Sequence, residues 1–319
     1  MKTQFNITSM KWDLQRYESQ KDFLTMLDGF DGVELMDYGD DVSAIIPEKN
    51  VIGVHMLCPH YWLDFWNGDI SRCIPEYGSK EQVYAGYGGT DRQALINSFC
   101  RDWNRAKKHG AEYAVYHVSD VSTQECLTGN YNHTDEEVID AVCDLINQAL
   151  PADADGPWLL LENLWYPGFT FTSLEMTKRL LDGIHYQKKG IMLDTGHLMH
   201  TNLELACQEE AVSYIHQCLD QHEDFIPFIR GVHLNQSLTG EYVKKLWQNP
   251  PVLSEDYDKR MEQIYTCVFQ IDQHQPFTCP GVRELIQRIS PDYLTYEFIS
   301  NDRAEHENML RLQKEAFVT

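Results

Sequence analysis

The chain has 319 residues, with 49 acidic against 26 basic side chains and a formal net charge of -23 at pH 7. Nucleic acid binding depends largely on basic side chains that replace counterions, so this balance argues against a nucleic acid partner. The same charge disfavours an anionic membrane surface. A small-molecule partner, such as a carbohydrate or polyol, is compatible with it.

The sequence predicts a cytoplasmic protein. Residues 1–13 lack the apolar core and cleavage site of a secretory signal. No segment approaches the roughly 20 apolar residues that a membrane span requires. The nine cysteines are odd in number and form no CxxC pair, which favours reduced thiols. No break in composition divides the chain, so we expect residues 1–319 to form a single domain. A homo-oligomer is compatible with these features.

Short apolar runs alternate with helical patterns, which is typical of βα units around a parallel sheet. Eight runs are predicted to be strands, at residues 5–10, 32–36, 51–56, 112–118, 158–163, 191–193, 228–234 and 293–298. Helices are predicted at 17–27, 91–108, 134–150, 173–185, 203–219, 256–270 and 280–289, with a polar helix at the end. The pattern predicts an α/β fold, a single (β/α)8 TIM barrel, which typically needs roughly 250 residues.

Two long connections, after strands three and seven, are predicted to shape the substrate site. Residues 57–90 are rich in aromatic side chains, and residues 235–255 form the second connection. Long loops in compact domains are often functional lids. Their aromatic rings can stack on a sugar or base, or can simply cover the barrel mouth. We expect Trp62 or Trp66 to line the wall of a closed pocket.

The motif GIMLDTGHLMHT, residues 190–201, is the centre of the predicted site. A buried strand ends at Asp194, and a predicted tight turn at Thr195-Gly196 leads to His197. A carboxylate and an imidazole just past a barrel strand lie where such enzymes keep their chemistry. Both side chains bind zinc, manganese or iron. The alternative is that Asp194 caps the next helix and His197 packs beside it.

Side chains that can bind metal lie at the ends of six successive predicted strands. They are His55, His117, Glu162, Asp194 with His197, His233 and Glu297. In a barrel these strand ends converge on one mouth. A buried carboxylate needs a cation or a strong donor nearby, and a metal ion supplies one. The pattern therefore predicts a divalent metal site.

Five motifs resemble those of the xylose isomerase-like barrel superfamily, which contains sugar epimerases, inositol-pathway enzymes and endonuclease IV. They are GVEL (32–35), LEN (161–163), DTGH (194–197), HLNQS (233–237) and YEF (296–298). The resemblance to the epimerases implies one divalent metal held by Glu162, Asp194, His233 and Glu297. It also implies that Glu162 and Glu297 transfer the proton. His197 would contact the substrate or a second metal.

The resemblance to endonuclease IV implies further ligands and a cluster of three zinc ions. His55 and His117 match two early histidines of that family, and Asp272 and His274 match its late Asp-x-His pair. The chain departs from that family in two places. The connection between His233 and Asp272 is longer, and QPFTCPG (275–281) replaces a glycine-rich stretch.

Three functions remain open on the sequence. One metal would support an isomerase or epimerase that acts on a small sugar, polyol or sugar phosphate through an enediolate. Two or three metals would support phosphoester hydrolysis of the endonuclease IV type. A non-catalytic metal-binding barrel is the third. The acidic balance favours the isomerase or epimerase, with one to three zinc or manganese ions as cofactor. Glu34 and Asn235 join Trp62 and Trp66 as predicted substrate-binding residues.

Overall fold

The computed structural model describes residues 1–254 and 256–318. Its eight strands pair in parallel and in chain order, and the last strand pairs with the first, which closes the barrel. The strands are β1 (Lys2–Thr8), β2 (Gly32–Met36), β3 (Val51–His55), β4 (Tyr113–His117), β5 (Trp158–Glu162), β6 (Lys189–Asp194), β7 (Ile229–Leu234) and β8 (Tyr293–Tyr296). The predicted (β/α)8 fold is confirmed.

An α-helix follows every strand except β2, which is followed by a 3-10 turn. The helices are α1 (Lys11–Leu14), α2 (Gln20–Met26), α3 (Leu63–Trp66), α4 (Ile70–Tyr77), α5 (Lys80–Tyr87), α6 (Gln93–Lys108), α7 (Thr123–Thr128), α8 (Asp135–Ala149), α9 (Leu174–Gly183), α10 (Thr195–His200), α11 (Gln208–Gln221), α12 (Gly240–Gln248), α13 (Tyr257–Ile271), α14 (Val282–Ile289) and α15 (Arg303–Glu315), with 3-10 turns at Glu48–Asn50 and Glu223–Phe228. Within the described ranges, no helix is both long and apolar enough to cross a bilayer.

A packed layer of side chains fills the lower part of the barrel. It consists of Ile52, Tyr113, Val115, Leu160, Met192 and Tyr293. The Tyr113 ring occupies the space that a side chain at Gly53 would need, since a Cβ atom there would lie 2.1 Å from Tyr113 Cζ. The Tyr113 hydroxyl donates a hydrogen bond to Glu34. Because this layer is filled, chemistry is confined to the C-terminal ends of the strands.

The two long connections, which were predicted to be loops, contain helices. Residues 57–90 form α3, α4 and α5, and the connection after β7 contains α12. The apolar side chains of the first connection are the reason, because they pack into the core. Trp62 and Trp66 are 1% and 4% exposed, and Trp62 Nε1 donates to the Ser119 carbonyl at 2.9 Å. These two tryptophans are packing residues and do not present a face to a ligand, contrary to the prediction.

The elements that follow β3, β4 and β7 contact one another above the strand ends. Arg260 of α13 donates to the carbonyl of Glu76 in α4 at 3.3 Å. Trp247 of α12 donates to the carbonyl of Cys126 in α7 at 3.1 Å. These contacts build a wall along one side of the barrel mouth.

Candidate metal centre

The strand ends gather the nine predicted metal-binding side chains into three groups. Within each group, one ligand atom per residue lies within 4.8 Å of every other. The first group is His55, His117 and Glu162, the central group is Glu162, Asp194, His233 and Glu297, and the third group is His197, Asp272 and His274. A fourth group joins Glu34 to His55, His233 and Glu297, so it overlaps the first and central groups. Each group has the mixed imidazole and carboxylate composition that zinc and manganese accept.

Glu162 belongs to both the first and the central group. Its Oε1 atom lies 2.9 Å from His233 Nδ1. Its Oε2 atom lies 3.1 Å from the Nε2 atoms of both His55 and His117. One carboxylate at the end of β5 therefore faces two sets of potential ligands, one with each oxygen.

Three of the histidines have a fixed tautomer. Each places Nδ1 near a backbone carbonyl, which can only accept, so Nδ1 must carry a proton. The contacts are His55 Nδ1 to Met56 O at 3.0 Å, His197 Nδ1 to Asn163 O at 2.9 Å and His274 Nδ1 to Glu297 O at 3.2 Å. This arrangement leaves Nε2 of each ring to face the site, and metal-bound histidines usually have such a partner behind them.

The Nε2 atoms of these rings point directly at carboxylate oxygens. His55 Nε2 lies 3.1 Å from Glu162. Asp272 Oδ2 lies 3.2 Å from His197 Nε2 and 2.7 Å from His274 Nε2. In a neutral ring Nε2 presents a lone pair, which repels the lone pairs of the oxygen. A proton or a metal cation between the two atoms removes that repulsion, so this geometry fits metal ions.

Glu297 gives a second indication that a cation belongs here. Its Oε2 atom is buried and has no hydrogen-bond partner among the described residues. Burial raises the pKa of Glu297 to about 7, although His233 and His274 oppose the change and Glu162 and Asp194 add to it. His233 Nδ1 and His274 Nδ1 lie 3.3 and 3.4 Å from this oxygen but make no hydrogen bond to it. A divalent ion in the central group would compensate the buried charge.

The remaining charges of the site are balanced between acids and imidazoles. Burial alone would raise the pKa of Glu162 and Asp272, but neighbouring histidines outweigh it and hold both pKa values well below their usual range. Burial alone would lower the pKa of His233 and His197, but the carboxylates raise both pKa values well above normal. Protons on the histidines therefore stand where metal ions would bind, and metal binding would release them.

Asp194 caps a helix and also belongs to the central group of potential ligands. Its Oδ1 atom accepts from the His197 backbone N–H at 2.6 Å and caps α10, so a helix replaces the predicted tight turn. Its Oδ2 atom accepts from Asn235 Nδ2 at 2.7 Å. Asn235 is fully buried and holds Asp194 through this contact, and its predicted role in substrate binding stays a prediction. Gly196 makes room for Asn235, because a Cβ atom there would lie 1.9 Å from Asn235 Oδ1.

Glu34 also supports the site from behind. It lies 1% exposed inside the barrel, and its carboxylate is 3.0 Å from His233 Nε2. That contact turns His233 Nδ1 toward Glu162 and Glu297, at 2.9 and 3.3 Å. Glu34 is therefore placed to orient His233, and its predicted role in substrate binding stays a prediction.

Asp272 and His274 reach the mouth although α12 and α13 separate them from β7. Gln236 and Gln275 form an antiparallel bridge, so the inserted segment begins and ends at the same place. The hydroxyl of Ser237 accepts from the backbone of residue 273 at 2.9 Å and donates to Asp272 Oδ1 at 3.2 Å. His274 has a φ of 46°, a left-handed conformation that is uncommon outside glycine and that clusters at functional sites.

A protein-family model described as a xylose isomerase-like TIM barrel matches residues 28–307. The chain belongs to this family. No curated protein sequence matches the chain.

Several solved structures share the xylose isomerase-like barrel over nearly the whole chain. Endonuclease IV from Thermus thermophilus has a TM-score of 0.52 at 14% identity, covering 100% of this chain and 99% of that chain. Mannonate dehydratase from Streptococcus suis serotype 2 has a TM-score of 0.52 at 12% identity, covering 99% and 94%. IolI with a bound zinc atom has a TM-score of 0.50 at 15% identity, covering 100% and 97%. These identities support the fold alone.

In this xylose isomerase-like barrel, two side chains that the sequence did not predict contact the third group. His200 Nε2 lies 3.4 Å from Asp272 Oδ1, and the Trp165 ring lies 5.1 Å from His197 and 4.5 Å from His200 between centroids. The spacing of His197 and His200 was the available signal, since residues three apart share one face of a helix. Trp165 lies just after the LEN motif, in a segment for which the sequence predicts neither secondary structure nor function.

Proposed function

We propose that the protein is a multinuclear metal-dependent hydrolase of small phosphoesters. The observation that carries this proposal is the three groups of ligands, two of which share Glu162. A single-metal enzyme needs the central group alone. It gives no reason for His55 and His117 to face Glu162, or for His197 and His274 to face Asp272, in place of apolar packing.

The residues divide into holders of the metal and supports behind them. The first, central and third groups would each hold one divalent cation, zinc or manganese by their ligand types. Two or more such cations supply an activated water and stabilise charge on phosphoryl oxygens. Glu162 keeps the first and central groups adjacent. His197 acts in this proposal through the third group, as a ligand that Asn163 orients.

The charge and the wall beside the mouth favour a small substrate over a nucleic acid duplex. A net charge of -23 repels a polyanion at long range and slows its association. The contacts of α12 and α13 with α7 and α4 raise one side of the mouth. A small ester can enter such a site, whereas a rigid duplex needs an open and basic surface.

A metal-dependent isomerase or epimerase is the second candidate, and Glu297 favours it. In this function the central group would hold one cation against two oxygens of a hydroxy-ketone. The Glu297 Oε2 atom, buried and without a hydrogen-bond partner among the described residues, would then take the proton from carbon. The first and third groups would have no part in the reaction.

One set of assays separates these functions. Purified protein loaded with zinc or manganese is given aryl phosphomonoesters and diesters, a panel of ketoses and polyols, and at low salt a duplex with an abasic site. We expect turnover of small phosphoesters and no incision. Interconversion of ketoses without hydrolysis would instead establish an epimerase. Robust incision of the duplex would establish a nuclease, and no turnover of any substrate would indicate a binding protein.

A pair of variants sharpens the result. His117→Asn removes a ligand of the first group and should lower phosphoesterase activity at least tenfold, whereas an epimerase that uses the central group would keep most of its activity. His109→Asn is the matched control, because His109 pairs with Asp37 at 2.9 Å and belongs to none of the three groups.

A further inference from the structure

A cavity of about 440 Å³ lies directly beside the first group of metal-binding residues. Its wall includes His55 and His117 on one side and Ser98 and Arg101 of α6 on another. Residues that follow β2 and the end of α5 complete the lining. A molecule that reacts at the strand ends would therefore extend into this space.

The charge of this cavity is opposite to that of the whole chain. Among the lining residues that the structure describes, Arg101 is the one charged side chain apart from the two histidines. The chain carries 49 acidic residues, and none of the lining residues is one of them. A guanidinium in a cavity whose lining contains no carboxylate is an arrangement that attracts an anion.

The contacts of Arg101 leave it available to a ligand. Its Nη2 atom donates to the Ser98 hydroxyl at 2.7 Å. Its Nε atom lies 3.7 Å from Asp102, but that carboxylate is closer to Arg105, at 3.3 Å, and also accepts from the Leu57 backbone N–H. Asp102 is therefore shared between Arg101 and Arg105 and does not pair with Arg101 alone. The Arg101 side chain is 57% exposed and can turn toward a bound molecule.

We propose that Arg101 binds an anionic group, a carboxylate or a phosphate, that the substrate carries away from its reacting phosphoester. Guanidinium pairs with both groups through two parallel hydrogen bonds. Apolar atoms of Met56, Leu57 and Leu95 line the same cavity and suit a ring or short chain between the two ends. The substrate class is then a small phosphoester with a second negative group. This inference rests on the proposed function only for the phosphoester end of the substrate.

The test compares two esters that differ in one charge. The metal-loaded protein is assayed with 4-carboxyphenyl phosphate and with 4-carbamoylphenyl phosphate, in which a neutral amide replaces the carboxylate. We expect a preference of about tenfold or more in kcat/KM for the carboxylate, the size of one charge-assisted contact. Arg101→Met should abolish the preference and leave kcat/KM for the amide within about twofold of wild type.

The control variant is Arg92→Met, because Arg92 lies next to α6, pairs with Asp144 at 3.7 Å and does not line the cavity. It should keep the preference. The inference is wrong if the preference survives in Arg101→Met or is missing in wild type. In either case, turnover of both esters would still support the hydrolase proposal.

A binding measurement keeps the inference testable without turnover. Calorimetry compares 4-carboxybenzylphosphonate, its neutral amide and 1,4-xylylene bisphosphonate, none of which can be hydrolysed as an ester. We expect the two compounds that carry a second anionic group to bind wild type about tenfold more tightly than the amide. All three compounds should bind Arg101→Met with equal affinity. Tighter binding of the carboxylate or of the bisphosphonate identifies which anion the site selects. Absence of turnover with this binding pattern would refute only the hydrolase proposal, and equal binding of all three by wild type would refute the role of Arg101.

Discussion

The carboxylate of Glu162 approaches the imidazole of His233 across the barrel mouth, with 2.9 Å between Oε1 and Nδ1. The two residues lie at the ends of β5 and β7, which are not neighbours in the barrel. Since the second oxygen of Glu162 faces His55 and His117, this contact joins two of the three groups. Any change at Glu162 should therefore affect two potential metal sites together.

The number of bound metals is the first prediction. Protein reconstituted with zinc and freed of excess metal should contain two to three ions per chain by mass spectrometry. His117→Asn should remove about one ion, because it truncates the first group, and Glu162→Gln should remove more than one, because Glu162 serves two groups. These metal contents would exclude the single-metal alternative, which predicts one ion per chain and no loss of metal in His117→Asn.

The support of His233 by Glu34 is the second prediction. Glu34→Gln keeps the shape of the side chain but removes the charge behind the His233 ring. Loss of such a supporting partner typically lowers metal affinity by about 10- to 100-fold. Competition with a chelator measures the change. Tyr113→Phe is the control, since it removes a hydrogen bond to Glu34 but keeps the contact with His233, and its affinity should stay within a few-fold of wild type.

The fit between Gly196 and Asn235 is the third prediction. Gly196→Ala should lower the free energy of unfolding by about 1–3 kcal/mol, because the added methyl group overlaps the Asn235 side chain. Asn235→Ala removes the obstructing atoms. The double variant should therefore be less destabilised than the sum of the single variants, as measured by urea unfolding. Strict additivity would show that the two positions do not compete for space.

The acid stability of the protein is the fourth prediction, and it concerns His306, which lies away from the mouth. Burial, with a smaller effect of the nearby Arg16, lowers the pKa of His306 to about 4. The ring packs edge-on against Phe5. Between the ordinary histidine pKa of about 6.5 and this value, the unfolded chain binds a proton that the folded protein does not. Stability therefore falls as the pH falls through this window.

His306→Phe should remove this contribution while keeping an aromatic ring against Phe5. Relative to wild type, the free energy of unfolding of the variant should rise by about 2 kcal/mol between about pH 7.5 and pH 5. Urea unfolding at both pH values measures the difference, and effects common to both proteins cancel. Parallel pH profiles would mean that His306 keeps an ordinary pKa in the fold.

The amino-acid sequence alone predicted the barrel and the side chains at its mouth. Alternation of apolar runs with helical segments is a local property, and each βα unit places the end of its strand on the same side. Residues such as Glu162 and His233 could therefore be assigned to one mouth from their positions in the chain. Helical structure in residues 57–90 was missed because its apolar side chains were interpreted as exposed rings and not as packing residues.

Only the tertiary structure decided how those side chains are grouped. Glu34 lies in the middle of β2 and Asn235 directly after β7, and each contacts a candidate ligand, His233 or Asp194. The placement of Asp272 beside Ser237 depends on an inserted segment that returns to its starting point. Contacts of this kind join residues far apart in the chain, so no local pattern records them.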